Sequence, residues 1–206
     1  YPDEEFLGQG YALITYESGD FTAGLRYENY QNVMLGFPTG YRGEGIAYRF
    51  AQWQQGDWNF TVGNYYEQFG SGLIFRSYEE RGLGLDNAMD GVRLIGDLGN
   101  GLQIKAVMGR QRLYFTTGEG VLRGVDLGWD LTEPFPKLSD NGIYASIGAS
   151  FVSKFQRGYD PVLHLPNNVG AWAIRSDVSK GFWSWSSEVA YKINDPSYDN
   201  GYIYRP

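Results

Sequence analysis

The amino-acid sequence predicts an all-β protein, and within that class an antiparallel transmembrane β-barrel with about ten strands in this chain. Three observations predict this fold: apolar and polar residues alternate along much of the chain, short and long connections tend to alternate, and aromatic residues cluster at strand ends. Alternation with a period of two places one set of side chains on each face of a sheet. A transmembrane barrel turns its apolar set to lipid and its polar set to a lumen, whereas a soluble sheet turns its apolar set to a core.

Strand signals recur along the whole length and are separated by turn residues. In the clearest example, Leu102 and Ile104 alternate with Gln103 and Lys105. The predicted strands cover approximately residues 6–16, 21–28, 46–51, 58–63, 92–97, 102–109, 124–130, 143–151, 172–178 and 183–193.

The polar face of these strands carries more charge than a protein core tolerates. We therefore expect it to surround a lumen. The alternative is that this face is merely the solvent face of a soluble β-sandwich or lipocalin-like barrel. The charged strand residues that we predict to line the lumen are Arg26, Glu28, Arg49, Arg93, Asp97, Lys105, Asp126, Arg175, Asp177 and Glu188.

The connections between the predicted strands differ in length. Outer-membrane barrels have short turns at one end and long loops at the other. The alternation is imperfect, because the 114–119 loop is short and the 131–142 link is long. The tight connections lie near residues 17–20, 54–57, 99–101 and 180–181, and the long ones near 31–43, 69–90 and 155–169.

Aromatic residues flank three of the tight turns. Tyrosine and tryptophan favour the headgroup zone of a membrane, where a ring is half apolar and half hydrated. The alternative is that aromatic residues are favoured in any strand. The residues that we predict to lie at a membrane interface are Tyr16, Phe21, Trp53, Trp58, Phe182, Trp183 and Trp185.

The long central connection, from Phe69 to Asp90, is the best candidate for a functional element. It is rich in glycine and in charges of both signs, and we hypothesise that part of it folds inward and narrows the lumen, as charged constrictions do in pores. The alternative is a solvated external loop held by its own ion pairs. Its charged residues, with those of the strand that follows, are Arg76, Glu79, Glu80, Arg81, Asp86, Asp90 and Arg93.

The composition excludes several other functions. The chain has no cysteine, so thiolate metal sites and cysteine catalysis are excluded. Its net charge of -7 disfavours nucleic acid as a partner. No apolar run reaches the length of a transmembrane helix.

We predict no cofactor, no metal site and no enzymatic activity. Two groups of acidic and amide residues, at 86–90 and 194–200, offer oxygen atoms to Ca²⁺, but neither has regular ligand spacing, and turn formation explains them equally well. His164 is the single histidine and lies in a proline-containing stretch, where loop packing is the simpler role.

A resemblance to a known family adds to this interpretation. The run from Gly63 to Arg93 contains the motifs YEQFGSGL, RSYEER and LGLDNAMDGVR. It resembles a poorly characterised family of large outer-membrane β-barrel proteins of Bacteroidota, porin-like in architecture. The resemblance implies a location in the bacterial outer membrane. It also implies that residues 1–206 form one β-barrel domain that is part of a larger barrel.

Two functions follow as expectations. The first is porin-like passage of small polar solutes through a mixed-charge lumen. The second is a closed structural or accessory barrel that belongs to a larger outer-membrane assembly. The expected partners are the lipid bilayer and, in the second case, other outer-membrane proteins.

Overall fold

The computed structural model describes residues 8–31, 39–157 and 166–193, together with the backbone of short strands at 198–199 and 202–203. Helical structure among these residues is limited to α1 (Pro136–Asp140) and to two 3-10 turns, Thr39–Tyr41 and Arg81–Leu83. The described strands are β1 (Gln9–Ser18), β2 (Phe21–Tyr30), β3 (Gly43–Gln55), β4 (Trp58–Tyr65), β5 (Glu67–Gln68), β6 (Arg76–Ser77), β7 (Glu79–Glu80), β8 (Leu85–Asp86), β9 (Met89–Asp97), β10 (Leu102–Leu113), β11 (Thr116–Asp130), β12 (Ile143–Phe155), β13 (Asn168–Lys180), β14 (Trp183–Lys192), β15 (Tyr198–Asp199) and β16 (Tyr202–Ile203).

Ten of these strands form one antiparallel sheet in the order β1-β2-β3-β4-β9-β10-β11-β12-β13-β14. Each strand pairs with its neighbours in the chain, except that β4 pairs with β9 across a long excursion. The prediction of an all-β, antiparallel fold with about ten strands is confirmed. The sheet is open, with β1 and β14 at its two edges.

The sheet curls strongly toward one side. Arg112 of β10 donates a hydrogen bond to Glu28 of β2 at 2.7 Å, although three strands separate β2 from β10. In a flat sheet these strands would lie about 19 Å apart, because neighbouring strands are spaced by about 4.8 Å. Side chains that stand upright on a flat sheet could not bridge that distance, so curvature brings them together.

The two faces of the curled sheet have opposite character. Residues that pair directly across neighbouring strands point to the same face of the sheet. By this pairing, the concave face carries Arg26, Arg93, Lys105, Asp126 and Arg175. The convex face carries the apolar residues that alternate with these charged residues along the strands. Large and exposed convex side chains include Leu25, Phe60, Val62, Leu127, Phe151, Ile174 and Val189.

A β-bulge between β2 and β3 shifts the alternation of β3. Arg26 pairs with Tyr48, whereas the next residue, Tyr27, pairs with Ile46, so Ala47 is the extra residue. A bulge places two residues opposite one and reverses the phase of the strand beyond it. Strict alternation across this point therefore assigns Ile46 and Tyr48 to one face, whereas the structure places them on opposite faces.

Short connections join the strands at one end of the sheet. Residues 19–20, 56–57, 98–101 and 181–182 connect their strands at this end, which we call the turn end; the 131–142 link, which contains α1, also lies here. The opposite end, which we call the loop end, carries the excursion at 66–88. The 114–115 connection, also at the loop end, is shorter than the sequence predicts, because β10 reaches Leu113 and β11 begins at Thr116.

The hydrophobic core lies on the concave side. Tyr65, Met89, Val107 and Val152 of the sheet are buried against two phenylalanines of the 66–88 excursion. Burial of one such large apolar side chain contributes about 1.5–3 kcal/mol to stability. The protein thus buries a small apolar cluster inside a mostly polar concavity.

Candidate functional site on the concave face

The excursion at residues 66–88, which we call the inner segment, lies on the concave face and crosses its whole width. It forms two minimal hairpins, in which β5 pairs with β6 and β7 pairs with β8. At one edge of the sheet, the backbone N–H of Ser71 donates to Glu188 of β14 at 2.7 Å. At the other edge, the guanidinium of Arg81 lies 4.1 Å from the ring centroid of Tyr11 in β1.

Two phenylalanines anchor the inner segment to the sheet. Phe69 is completely buried, Phe75 is 5% exposed, and their rings meet edge to face with centroids 5.0 Å apart. Gly124 in β11 provides the space for this contact, because a Cβ there would lie 2.8 Å from Cε2 of Phe69. The absence of a side chain at position 124 therefore allows the ring to reach the sheet.

Gly70 is required for a second reason. Its φ of +54° lies in the left-handed region, where a residue with a Cβ is disfavoured. A Cβ at this position would also lie 2.5 Å from Oε1 of Glu188. The backbone therefore turns close to β14 only because residue 70 is glycine.

Four buried charges join the inner segment to β2 and β10. Nε of Arg26 donates to Oε1 of Glu28 at 2.6 Å, and its Nη2 donates to Oδ2 of Asp86, also at 2.6 Å. Arg112 donates to Oε2 of Glu28 at 2.7 Å and also to Oδ2 of Asp86. The four side chains are only 3–7% exposed. We call these residues the central ion-pair cluster.

The central cluster contains equal numbers of positive and negative charges, so each buried charge has an opposite partner. Loss of one partner from a buried ion pair leaves an uncompensated charge and costs about 3–5 kcal/mol. The arrangement therefore fixes Asp86, and with it the inner segment, to two strands that lie far apart in the order of the sheet.

A tyrosine and a further carboxylate extend the central cluster. The hydroxyl of Tyr66 donates to Oδ1 of Asp86 at 3.0 Å, and Glu79 accepts from Arg26 at 3.1 Å. Burial raises the pKa of the Tyr66 hydroxyl above its ordinary value. The phenol therefore stays protonated and continues to donate to Asp86 over the physiological pH range.

A second ion-pair group fixes the beginning of the inner segment. Nζ of Lys105 donates to Oε1 of Glu67 at 2.8 Å, and Arg93 lies 3.5 Å from the other oxygen of Glu67. Arg93 also donates to the backbone carbonyl of Tyr66 at 3.1 Å. Strands β9 and β10 thus hold the segment immediately after it leaves β4.

A third group lies on the strands themselves. Arg175 of β13 donates to Asp126 of β11 at 2.6 Å, across the intervening strand β12. Ser150 of β12 donates its hydroxyl to the same carboxylate oxygen at 2.5 Å. Gly148 lies directly opposite Arg175 and leaves the space through which the guanidinium extends.

Most of the charged residues predicted for a lumen lie on the concave face or on the inner segment. On the segment, Arg76 covers the ring of Tyr78, and Glu80 accepts from the N–H of Gly82 in the 3-10 turn. The exposed Arg81 pairs with Glu79 at 2.9 Å. The residues on the concave strands are Arg26, Glu28, Arg93, Lys105, Asp126, Arg175, Asp177 and Glu188.

Three predicted lumen residues have a different position. Arg49 and Asp90 lie on the convex face, where they form an ion pair at 3.1 Å, so the prediction that they line the lumen with the other charged residues is wrong. For Arg49 the reason is the bulge at Ala47; Asp90 has the same phase as Val92 and was misassigned because it was grouped with the loop charges. Asp97 lies at the turn end, where it accepts from the N–H of Gly99.

The seven aromatic residues predicted for an interface lie at one end of the sheet. Trp53, Trp58 and Trp185 are 50%, 41% and 57% exposed on the convex face, near the turn end. Phe182 lies in the turn between β13 and β14 and is fully exposed. The others near this end are Tyr16, Phe21 and Trp183.

Sequence reasoning missed Arg112, Glu67 and the two phenylalanine anchors. Arg112 follows Arg110 by two residues, so alternation assigns both to the convex face, but a register shift between them turns Arg112 inward. The available signal for Glu67, Phe69 and Phe75 was their position within or beside the YEQFGSGL motif, where glycines permit close packing.

Within the described residues, the acidic and amide group at 86–90 does not form a metal site. Oxygen atoms of Asp86 accept from arginines and a tyrosine, whereas Asp90 points to the other face. Within the described ranges, no group of three or more His, Asp or Glu side chains is placed to hold a metal ion. His164, Asn194 and Asp195 lie outside the described residues. The described part of the chain includes no helix with the length and hydropathy needed to cross a membrane.

A comparison with models of protein families assigns the sequence to a family. A model described as a family of unknown function, DUF6029, matches residues 1–206. The chain belongs to DUF6029. No curated protein matched it in a sequence search. The match covers all of residues 1–206. It assigns no function, so the outer-membrane location implied by the sequence motifs stays a proposal.

Proposed function

We propose that this DUF6029 chain forms the wall of a bacterial outer-membrane β-barrel that passes small polar solutes, and that the inner segment narrows its lumen. The opposite character of the two faces carries this proposal: the convex face exposes large apolar side chains, whereas the concave face buries ion pairs. In an outer-membrane barrel, the lipid-facing surface is apolar and the interior is polar.

The dimensions of the sheet agree with a membrane-spanning wall. Its ten strands have 8 to 15 residues. A tilted strand needs about 9–11 residues to cross the hydrocarbon layer. The exposed Trp53, Trp58 and Trp185 lie near the turn end of the convex face. Arg49, Arg110 and Arg123 lie on the same face toward the loop end, as does the exposed Trp172. The apolar band thus has an aromatic border at the turn end and a border of charged and aromatic residues toward the loop end.

The inner segment supports a constriction. It is fixed to both edges of the sheet and to β2 and β10 in between, so it lies within the concavity. Pores select among solutes by rings of charge at narrow positions. The exposed Arg76, Glu80 and Arg81 would provide charges of both signs at this point.

Cysteine modification tests the constriction directly, because the chain has no native cysteine. Leu83 and Leu73 of the inner segment are 69% and 60% exposed. We expect Leu83→Cys and Leu73→Cys in the full-length protein to lose single-channel conductance in a planar bilayer when a bulky, charged thiol reagent is added. Phe182→Cys, in a turn at the opposite end, is the control and should keep its conductance after modification.

Cysteine modification at positions 73 and 83 leaves the ion pairs of the inner segment in place, whereas deletion of the segment would remove them. Removal of residues 76–89 would also remove Asp86 and leave Arg26 and Arg112 without this partner. Complete labelling, verified by mass, with unchanged conductance at both segment positions would contradict the constriction.

The second candidate function is a closed barrel that acts as a structural or accessory subunit of an outer-membrane assembly. The full crossing of the concave face by the inner segment favours it, because two buried phenylalanines and several ion pairs fill the middle of the concavity. This candidate predicts no conductance from the unmodified protein. It also predicts that the protein copurifies with other outer-membrane proteins after gentle extraction.

A further inference from the structure

A cavity of about 480 Å³ lies on the concave face near the loop end, between the inner segment and strands β11–β14. Its floor is apolar and includes Ile74 of the segment with Leu122, Val152 and Ala171 of the sheet. Its volume falls within the range of small-molecule sites, about 300–1,000 Å³. We call this space the loop-end cavity.

Cationic side chains surround the loop-end cavity. Lys154, Arg157 and Lys192 line it, and none of the lining residues that the structure describes is an aspartate or glutamate. This is the reverse of the balance of the whole chain, which carries a net charge of -7.

The register of the strands sets the spacing of the cations. Lys154 of β12 lies opposite Val169, and Lys192 of β14 lies opposite Ala171. Because β13 lies between them and their partners are two residues apart along it, the two lysine backbones are about 12 Å apart. Lys154 therefore lies beside the apolar floor, and its flexible stem lets the ammonium group reach over that floor.

We propose that the loop-end cavity binds an amphipathic carboxylate, with the anionic head at Lys154 and Arg157 and a short hydrocarbon body on the apolar floor. An apolar site with a few convergent polar groups suits such a ligand, since the floor favours the body and the cations fix the head. This site does not depend on conductance, so it stands or fails separately from the proposed passage of solutes.

Binding of hexanoate to the full-length protein in lipid nanodiscs tests the site, measured by isothermal titration calorimetry. We expect Lys154→Gln combined with Arg157→Gln to weaken hexanoate binding roughly tenfold, because two favourable charge interactions are lost. Lys137→Gln, in α1 at the turn end, is the matched control and should bind as the unmodified protein does. Each nanodisc sample carries the same lipid, so partition into the bilayer cancels in the comparison.

Two further probes test the anionic head and the hydrocarbon body of the ligand separately. Acetate supplies the head without the body, and hexan-1-ol supplies the body without the charge; both should bind more weakly than hexanoate. Equal binding of acetate and hexanoate would overturn the role of the floor, and equal binding of hexan-1-ol would overturn the role of the cations. Hexanoate affinity that is unchanged in the double variant would overturn the proposal.

The outcome is independent of the channel experiment. A protein that conducts but fails these binding tests disproves the carboxylate site alone. A protein that binds hexanoate through its cations but never conducts retains the site and excludes the open pore. Gel mobility with and without heating, together with circular dichroism, verifies that the double variant is folded.

Discussion

The two faces of the same ten strands differ in which side chains they bury and which they expose. On the concave face, Arg112 and Glu28 are almost fully buried and bond each other, and Ser150 and Arg175 satisfy Asp126. On the convex face, large apolar side chains remain exposed, with Ile174 at 57% and Val189 at 62%. A soluble sheet would bury the second set and hydrate the first.

The two faces also differ in what the chain itself places against them. The inner segment covers the middle of the concave face and supplies carboxylates to its arginines and lysine. Within the ranges that the structure describes, no segment packs against the convex face in the same way. An apolar surface that extends over ten strands is larger than the patches tolerated on soluble monomers, which supports the proposal that lipid covers it.

Breaking the central ion-pair cluster should have the largest effect. Arg112→Ala leaves Glu28 and Asp86 buried with one partner fewer. We expect the free energy of unfolding, measured by urea titration in lipid vesicles, to fall by about 3–5 kcal/mol. Trypsin should also cleave the inner segment faster, at Arg76 or Arg81.

Arg123→Ala is the control for this substitution. Arg123 is exposed on the convex side of β11, so its loss should change the free energy of unfolding by no more than about 0.5 kcal/mol. Equal losses in the two variants would show that the central cluster does not hold the inner segment.

The same charge added to each face should have unequal effects. Ala149→Arg adds a guanidinium to the convex face between Leu127 and Ile174, whereas Ala190→Arg adds one to the concave face of β14. An arginine on a lipid-facing surface near the bilayer midplane costs about 2–4 kcal/mol. We expect Ala149→Arg to lower the free energy of unfolding in vesicles by this amount and Ala190→Arg to have little effect.

The result shows whether lipid or water contacts the convex face. Both alanines are exposed, so neither substitution overfills a core. If the two variants unfold at the same urea concentration, the convex face contacts water, and the membrane assignment is wrong.

Filling the space under Phe69 should have the smallest effect of the three. Gly124→Ala places a methyl group 2.8 Å from the Phe69 ring and 2.9 Å from Val152. Overpacking of this kind costs about 1–3 kcal/mol. Gly10→Ala is the control, because a Cβ there meets no atom within 4 Å. A Gly124→Ala protein as stable as the Gly10→Ala protein would show that the ring can move without cost.

Sequence alternation was sufficient to predict much of the fold. The strands, their antiparallel order and the side of residues such as Lys105 and Arg175 follow from a period of two, because neighbouring side chains must point to opposite faces. Alternation failed for Arg49 and missed Arg112, each of which lies beyond a register shift. One extra residue reverses the phase of a strand and leaves no mark in the hydrophobic pattern.

The partners of the inner segment depended on the tertiary structure. The sequence indicated that the central connection is rich in glycine and charge, and it raised an inward path as a hypothesis. It did not indicate that Asp86 would join Arg26 to Arg112, or that Phe69 would pack on Gly124. These contacts link residues that are 26 to 60 positions apart, and only the curl of the sheet makes them neighbours. Local pattern determines which face a side chain takes, whereas curvature determines what that face encloses.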